Sequence, residues 1–327
     1  MLPALHSFLS EAGSKAKERL LSWIIRAKSE IVRDRGIMKI LITGGNGFIA
    51  RNLFEQLNNE YTVISPNSKE LNLLDSSKVF EYIKNDQYDV IIHAATYDAV
   101  PKHSTKDPSK VLEYNLKMFF NIARCKNYFD KMIYFGSGAE FSREHWAPKM
   151  SEDYFDRHVP ADQYGYSKYL MTKYAMASDN VYNFRLFGVF GKYDDWRTRF
   201  IPNACCHAIL GLPIRIDQNR FCDYLYIDDL VKLVRWFIAG RPNQRVYNVC
   251  SGQSFDGRSI AEIIIELSGK QLGIDLKTTE LGREYSGNNA LLLAEMGGVE
   301  FTPFEAALRQ LYAWYANNTD LIDRAQL

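Results

Sequence analysis

At 327 residues, 46% hydrophobic and 24% charged, with a net charge of +1, the chain has the composition of a globular protein with a sizeable core. The near-neutral balance gives no electrostatic case for nucleic-acid binding, which would want a concentrated basic patch, and no apolar run reaches the roughly 18 residues of a membrane span. Five cysteines, at 125, 205, 206, 222 and 250, include no CxxC pair, so no disulfide framework and no metal site is expected, and the location expected is a reducing, cytoplasmic one.

Residues 1–37 form a first segment. Leu20, Leu21, Ile24, Ile25 and Ile31 recur at near-helical spacing, and seven Lys/Arg against four Asp/Glu over residues 1–36 leave a net +3. An amphipathic helix is predicted there, either packed on its own domain or resting on a membrane surface or a partner. From Met38 apolar strands and helices alternate. "MKILITG", "YTVIS", "DVIIHAA", "KMIYFGS" and "VYNFRLF" read as buried strands, with helical segments such as Lys110–Cys125 and Gln163–Ala177 between them. This alternation predicts an α/β fold: a doubly wound parallel sheet over residues 38–190, covered on both faces. Strands around 222–250 are expected to return to it. Beyond residue 190 the order loosens, and residues 191–327 are expected to form mainly a smaller substrate-binding lobe.

Between the first strand and first helix stands "ITGGNGFIA". Gly44, Gly47 and Ala50 have the spacing of a dinucleotide-binding turn, in which glycine lets the backbone approach a pyrophosphate whose charge meets a helix N-terminus. The end of the second strand, "VISPNSKE", carries Ser65, Asn67, Ser68 and Lys69 where an NAD enzyme usually places an acid for the ribose 2′-hydroxyl. Glu70 falls beyond that position. The hydroxyls, amide and ammonium suit a 2′-phosphate, so NADP(H) is favoured, with NAD(H) as the alternative.

Further along, "DQYGYSKYLMTKYA" (162–175) sets Tyr164 and Lys168 at i and i+4, on one helix face. A tyrosine hydroxyl, pKa about 10 when free, becomes a useful proton donor and acceptor beside an ammonium. Tyr166, Tyr169 and Tyr174 lie on other faces and are expected to pack.

"TGGNGFIA", "HAAT", "YFGSGAEF", "YGYSK", "FRLFGVFG" and "DYLYIDDL", in that order over residues 38–250, resemble the extended short-chain dehydrogenase/reductase family of nucleotide-sugar epimerases, dehydratases and reductases. "ELNLLD" near residue 70 is similar to the GDP-fucose synthase branch. The resemblance implies a Rossmann-type fold and a catalytic set of Ser137, Tyr164 and Lys168. Ser137 stands four residues before Phe141, where the family usually has Tyr. The resemblance further implies that the cofactor contacts Gly44, Gly47, Phe48, Ile49, Ser65 and Lys69. Asn72 and Leu73 would lie against the adenine, and Ala94 and Ala95 after the third strand. Asn115 would support the site. A nucleotide-sugar substrate is expected against Lys102, His103, Arg199, Asn203 and Arg220, and a homodimer through helices around 107–126 and 163–177.

Three departures narrow the reaction. Dehydratases carry Asp-Glu after the catalytic residue, but here Gly138 and Ala139 follow Ser137, and Glu140 should face the other way. The Cys and His that GDP-fucose synthase uses for epimerisation correspond to Ala139 and Arg199, and a guanidinium is a poor proton shuttle. The family's diphosphate-gripping Arg is Cys222, which leaves Arg220 or Arg199 to supply the donor fork. The expectation is NADP-dependent reduction of a keto group, C4 foremost, on a nucleotide-activated deoxy sugar in surface-polysaccharide sugar biosynthesis. An NAD-dependent nucleotide-sugar epimerase is the alternative, and a non-catalytic cofactor-binding scaffold is the remote one.

Overall fold

The computed structural model describes residues 37–99 and 105–327. The amphipathic segment 1–36 and the expected substrate contacts Lys102 and His103 lie outside the described residues. Among them, no helix is long and apolar enough to cross a membrane.

"KILIT" forms β1 (Lys39–Thr43), with Ile40, Leu41 and Ile42 fully buried. The glycine turn leads into α1 (Phe48–Leu57), and then follow β2 (Thr62–Ile64), α2 (Ser76–Asp86), β3 (Tyr88–His93), α3 (Val111–Ala123), β4 (Phe129–Ser137), α4 (Gln163–Ala177) and β5 (Val181–Leu186). After these come β6 (Gly188–Phe190), α5 (Phe200–Ile209), β7 (Ile214–Ile216), β8 (Phe221–Tyr226), α6 (Ile227–Ala239) and β9 (Val246–Val249). The chain ends with β10 (Ser254–Asp256), α7 (Gly257–Ser268), β11 (Ile274–Leu276), α8 (Ala290–Met296) and α9 (Phe304–Ala316).

Six strands make one parallel sheet in the order β2-β1-β3-β4-β5-β9. Strand sequences such as VYNFRL are buried along their whole length, as a sheet covered on both faces demands. Helices α2, α3 and α4 cover one face around Phe119, Met132, Tyr134 and Met171. On the other, α1 packs beside α6, tied by Arg235 to Glu60 at 2.9 Å. The strand order reverses between β1 and β3, β2 lying on one side of β1 and β3 on the other, and such switch points open the crevice where ligands of doubly wound sheets bind. Of the expected returning strands, β9 pairs with β5, whereas β8 joins a separate three-stranded sheet, β10-β8-β6. That small sheet, the β7–β11 ribbon and helices α5, α7 and α9 enclose a second core that includes Phe190, Ile201, Ile264 and Leu308.

Candidate active site

The glycine turn builds a cradle that side chains would fill. Gly44 has φ +78°, and a Cβ there would stand 2.9 Å from Ala95 Cα. At Gly45 a Cβ would stand 2.2 Å from the Ser65 carbonyl oxygen, across the link from Gly45 N–H to Pro66 O at 3.1 Å. Gly47 caps α1 without any side-chain acceptor, so the first amides of that helix face the crevice unpaired by a cap. Phe48 and Ile49 follow, half-buried. Ala95 N–H reaches Thr43 Oγ1 at 3.3 Å and Ala94 stands beside it, so the ends of β1 and β3 are held together. At the end of β2, Ser65 Oγ is buried with no hydrogen-bond partner among the described residues, an orphan that a ribose or phosphate oxygen would satisfy. Lys69 is exposed, with its backbone N–H held by Asn67 Oδ1 at 2.9 Å. Glu70, expected to fall beyond the turn, folds back onto it, its carboxylate accepting from Asn67 N–H at 2.8 Å. Asn72 is exposed and caps Leu74 N–H at 3.1 Å, while Leu73 is buried. Cradle and orphan both fit a dinucleotide.

Ser137, Tyr164 and Lys168 converge at the open end of β4. Ser137 ends the strand, Tyr164 lies in the first turn of α4, and Lys168 follows one turn later, its Nζ 5.7 Å from the Tyr164 ring centroid. Lys168 is almost wholly buried and donates to Phe135 O at 2.8 Å. Burial lowers its pKa to about 8, against the opposing pull of Glu140 and Asp98. The Tyr164 pKa is raised, first by burial and then by the Asp98 charge, while Arg199 and the nearby Ser137 hydroxyl pull it down. Without a ligand the protein therefore does not favour tyrosinate. Asn115, buried on α3, accepts from Tyr97 N–H at 2.8 Å and donates to Tyr97 O at 2.9 Å, fixing the loop after β3 that bears Asp98.

Two neighbours escaped the sequence reading. The Tyr285 hydroxyl stands 3.3 Å from Ser137 Oγ, on a strap between Met150 and β8. Nothing local marks it, because its partner is 148 residues away in sequence. Asp98 pairs with Arg199 at 3.2 Å. Its place three residues after the third strand's alanines was a signal available in the sequence.

The sequence profile of the NAD dependent epimerase/dehydratase family matches residues 40–250. The chain belongs to that family. GDP-L-colitose synthase of Yersinia pseudotuberculosis is 22% identical over 86% of this chain and 98% of its own. Among solved structures, GDP-L-fucose synthetase from Naegleria fowleri bound to NADP superposes with TM-score 0.76 at 17% identity, covering 87% of this chain and 94% of that one. GDP-mannoheptose C4 reductase from Campylobacter jejuni with NADP bound gives 0.74 at 16%, covering 85% and 98%. Other fold neighbours hold NAD. The protein is thus an NAD(P)-dependent enzyme of the nucleotide-sugar epimerase/reductase type.

Within that family frame the departures take physical form. Gly138 is hemmed in, since a Cβ there would meet the Tyr285 and Phe187 rings at 2.6 and 2.7 Å, and Ala139 is buried. Glu140 turns into the core and pairs with Arg185 at 2.8 Å, so no acid faces the cleft at positions 138–140. Cys222 is buried beside Tyr224, and burial pushes its thiol up to about 11. Arg220 bonds to Gln218 Oε1 at 2.6 Å and its charge reaches both Cys222 and Tyr224. Asn203, on α5, donates to Trp196 O at 2.9 Å. Arg199 therefore stands beside Asp98 and near Tyr164, and Asn203 braces the loop that leads to Arg199.

Proposed function

We propose that the enzyme reduces a keto group, C4 foremost, on a nucleotide-linked deoxy sugar, with NADP(H) favoured. The observation that carries this reading is the complete Ser137, Tyr164 and Lys168 set beside positions 138 and 139 that hold no acid or base. Dehydration needs both of those missing groups, whereas carbonyl reduction needs only one proton donor and one polarising hydroxyl.

NADPH, when bound, supplies the hydride. Its pyrophosphate would lie on the Gly44–Gly47 turn and the start of α1, its adenosine against Ser65, Lys69, Asn72 and Leu73, and its nicotinamide end toward Ala94, Ala95 and Lys168. Tyr164 holds its proton at the phenol oxygen near neutral pH, in keeping with its raised pKa, and gives it to the developing alkoxide. Ser137 Oγ donates a hydrogen bond to the same oxygen, and Lys168 stabilises the tyrosinate left behind. Arg199 and Arg220 would take the diphosphate, with Asn203, Lys102 and His103 completing the substrate side. The enzyme is expected to work as a homodimer.

Glu70 supports a second reading. A carboxylate folded onto the end of β2 suits a ribose 2′-hydroxyl, and hence a retained NAD and an epimerase. Isotope tracing separates the two. With a panel of nucleotide-linked keto-deoxy sugars and deuterated NADPH, a reductase consumes one equivalent and leaves deuterium on one sugar carbon. Purified protein that already holds NAD and interconverts sugars without net consumption would replace the first reading with the second. Tyr164→Phe is expected to cut turnover about 10²–10⁴-fold, the usual contribution of a positioned acid, with an unchanged melting curve.

A further inference from the structure

Beneath the catalytic residues lies a polar cluster to which the reaction above assigns no role. Glu140 and Arg185 are both fully buried. Taking two charges out of water is costly, and apolar side chains of similar size often serve stability as well or better. Stability alone is therefore a poor reason for the pair.

Glu140 Oε1 accepts from the Ser137 backbone N–H at 2.9 Å, while Ser137 Oγ accepts from Ala139 N–H at 3.2 Å. This reciprocal cap fixes the turn that aims the serine. Gly136 makes room for the carboxylate, since a Cβ there would stand 2.2 Å from Oε1. On its other side the Tyr134 hydroxyl lies 3.3 Å from Glu140 Oε1, 2.5 Å from Thr172 Oγ1 and 3.1 Å from the Lys168 carbonyl. One carboxylate thus reaches both the Ser137 turn and the helical turn of Lys168.

We propose that Glu140 is a positioning residue of this site, fixing the Ser137 turn and serving as the buried counter-charge of the Lys168 ammonium. It touches neither substrate nor cofactor, and the inference rests on reading Ser137 and Lys168 as catalytic. Charge supports the geometry: burial drives the Lys168 pKa down, and Glu140 is the foremost group opposing that, ahead of Asp98. The remaining groups facing Lys168 carry no competing negative charge in the ligand-free state. They are His93 of β3, kept neutral by burial, Tyr134 of β4, whose ring centroid is 5.6 Å away, and Tyr164 of its own helix. Arg185 of β5 faces Glu140 from below and has a second partner, Asn248 Oδ1, at 3.1 Å.

The test is a pH titration of the full chain labelled with ¹³Cε-lysine, read by NMR, with the Lys168 signal assigned by its loss in Lys168→Met. Glu140→Gln keeps an acceptor for Ser137 but strands a buried guanidinium, so Glu140→Gln/Arg185→Met, which removes both charges, is measured alongside it. In the wild type the midpoint is expected at about 8. In either folded variant it should fall by about one unit, a roughly tenfold shift in the ammonium–amine balance. A midpoint within about 0.2 unit of wild type in the folded double variant, far below what losing a nearby counter-charge produces, overturns the proposal. Neither cofactor nor substrate is needed for this measurement. Undiminished turnover in Lys168→Met would instead sink the catalytic reading, so the two failures are distinguishable.

Discussion

His93 closes β3 with Nδ1 2.9 Å from Thr43 Oγ1 and is nearly inaccessible. Burial lowers its pKa from an ordinary value of 6.5 to about 3. Between those values the unfolded chain binds the proton that the folded chain refuses, so its stabilisation is complete above 6.5 and is lost as pH falls toward 3. His93→Gln should flatten the acid side of a plot of Tm against pH. Asp194 behaves in the opposite sense. Burial raises its carboxyl from 3.8 to about 7 despite the Arg199 charge, and its carboxylate accepts from the next residue's N–H at 2.9 Å. Here the folded chain holds the proton more tightly, so stability declines as pH climbs from 3.8 past 7. Asp194→Asn keeps that acceptor and should raise Tm above pH 7 by a few degrees, since about 1 kcal/mol moves a chain of this size by roughly 2–4 °C. No gain at pH 8 by calorimetry would count against a destabilising buried carboxylate.

Helix α4 owes its position to its first turn. The Asp162 side chain accepts from Gly165 N–H at 2.9 Å, and Gly165 lies so near the Ser137 turn that a Cβ would stand 2.8 Å from Ala139 O. Alanine is the better helix former by about 1 kcal/mol, which offsets part of the cost of this backbone clash in Gly165→Ala. The substitution should nonetheless force Tyr164 and Ser137 apart, and a displacement near 1 Å can cost about 10²-fold in rate. Comparing Tm with turnover on one preparation tests this, and equal losses in both would contradict it. This element also shows why part of the site was legible in sequence. Tyr164 and Lys168 are one turn apart, and Gly44 and Gly47 belong to one turn, so backbone periodicity alone brings each set together. The tyrosines left over pack as expected. Tyr169 lies against Phe155 with ring centroids 5.0 Å apart, and Tyr174 against Phe119 and Phe120 at 5.7 and 5.3 Å. Glu70 misled because its distance along the chain was no guide to where an Asn67-capped turn would return it.

Across the whole molecule, what went unread depends on distant pairing. The Glu140–Arg185 ion pair joins residues 45 apart, and Tyr285 meets Ser137 only after the lobe has folded across β8. At this scale the outer faces of α3 and α4 also matter. Phe120 and Met176 are 39% and 56% exposed there, beside Tyr174, and burying such a strip is the expected basis of a homodimer. Phe120→Lys with Met176→Lys should turn a sedimenting dimer into a folded monomer, and a wild type that sediments as a monomer would refute the pairing. The Tyr285 strap has a consequence in time. During synthesis the dinucleotide crevice needs only strands that emerge early, and domains fold as their residues become available. The hydroxyl that meets Ser137 leaves the ribosome some 148 residues after it. A nascent chain is therefore able to acquire its cofactor cradle well before it has a complete place to do chemistry.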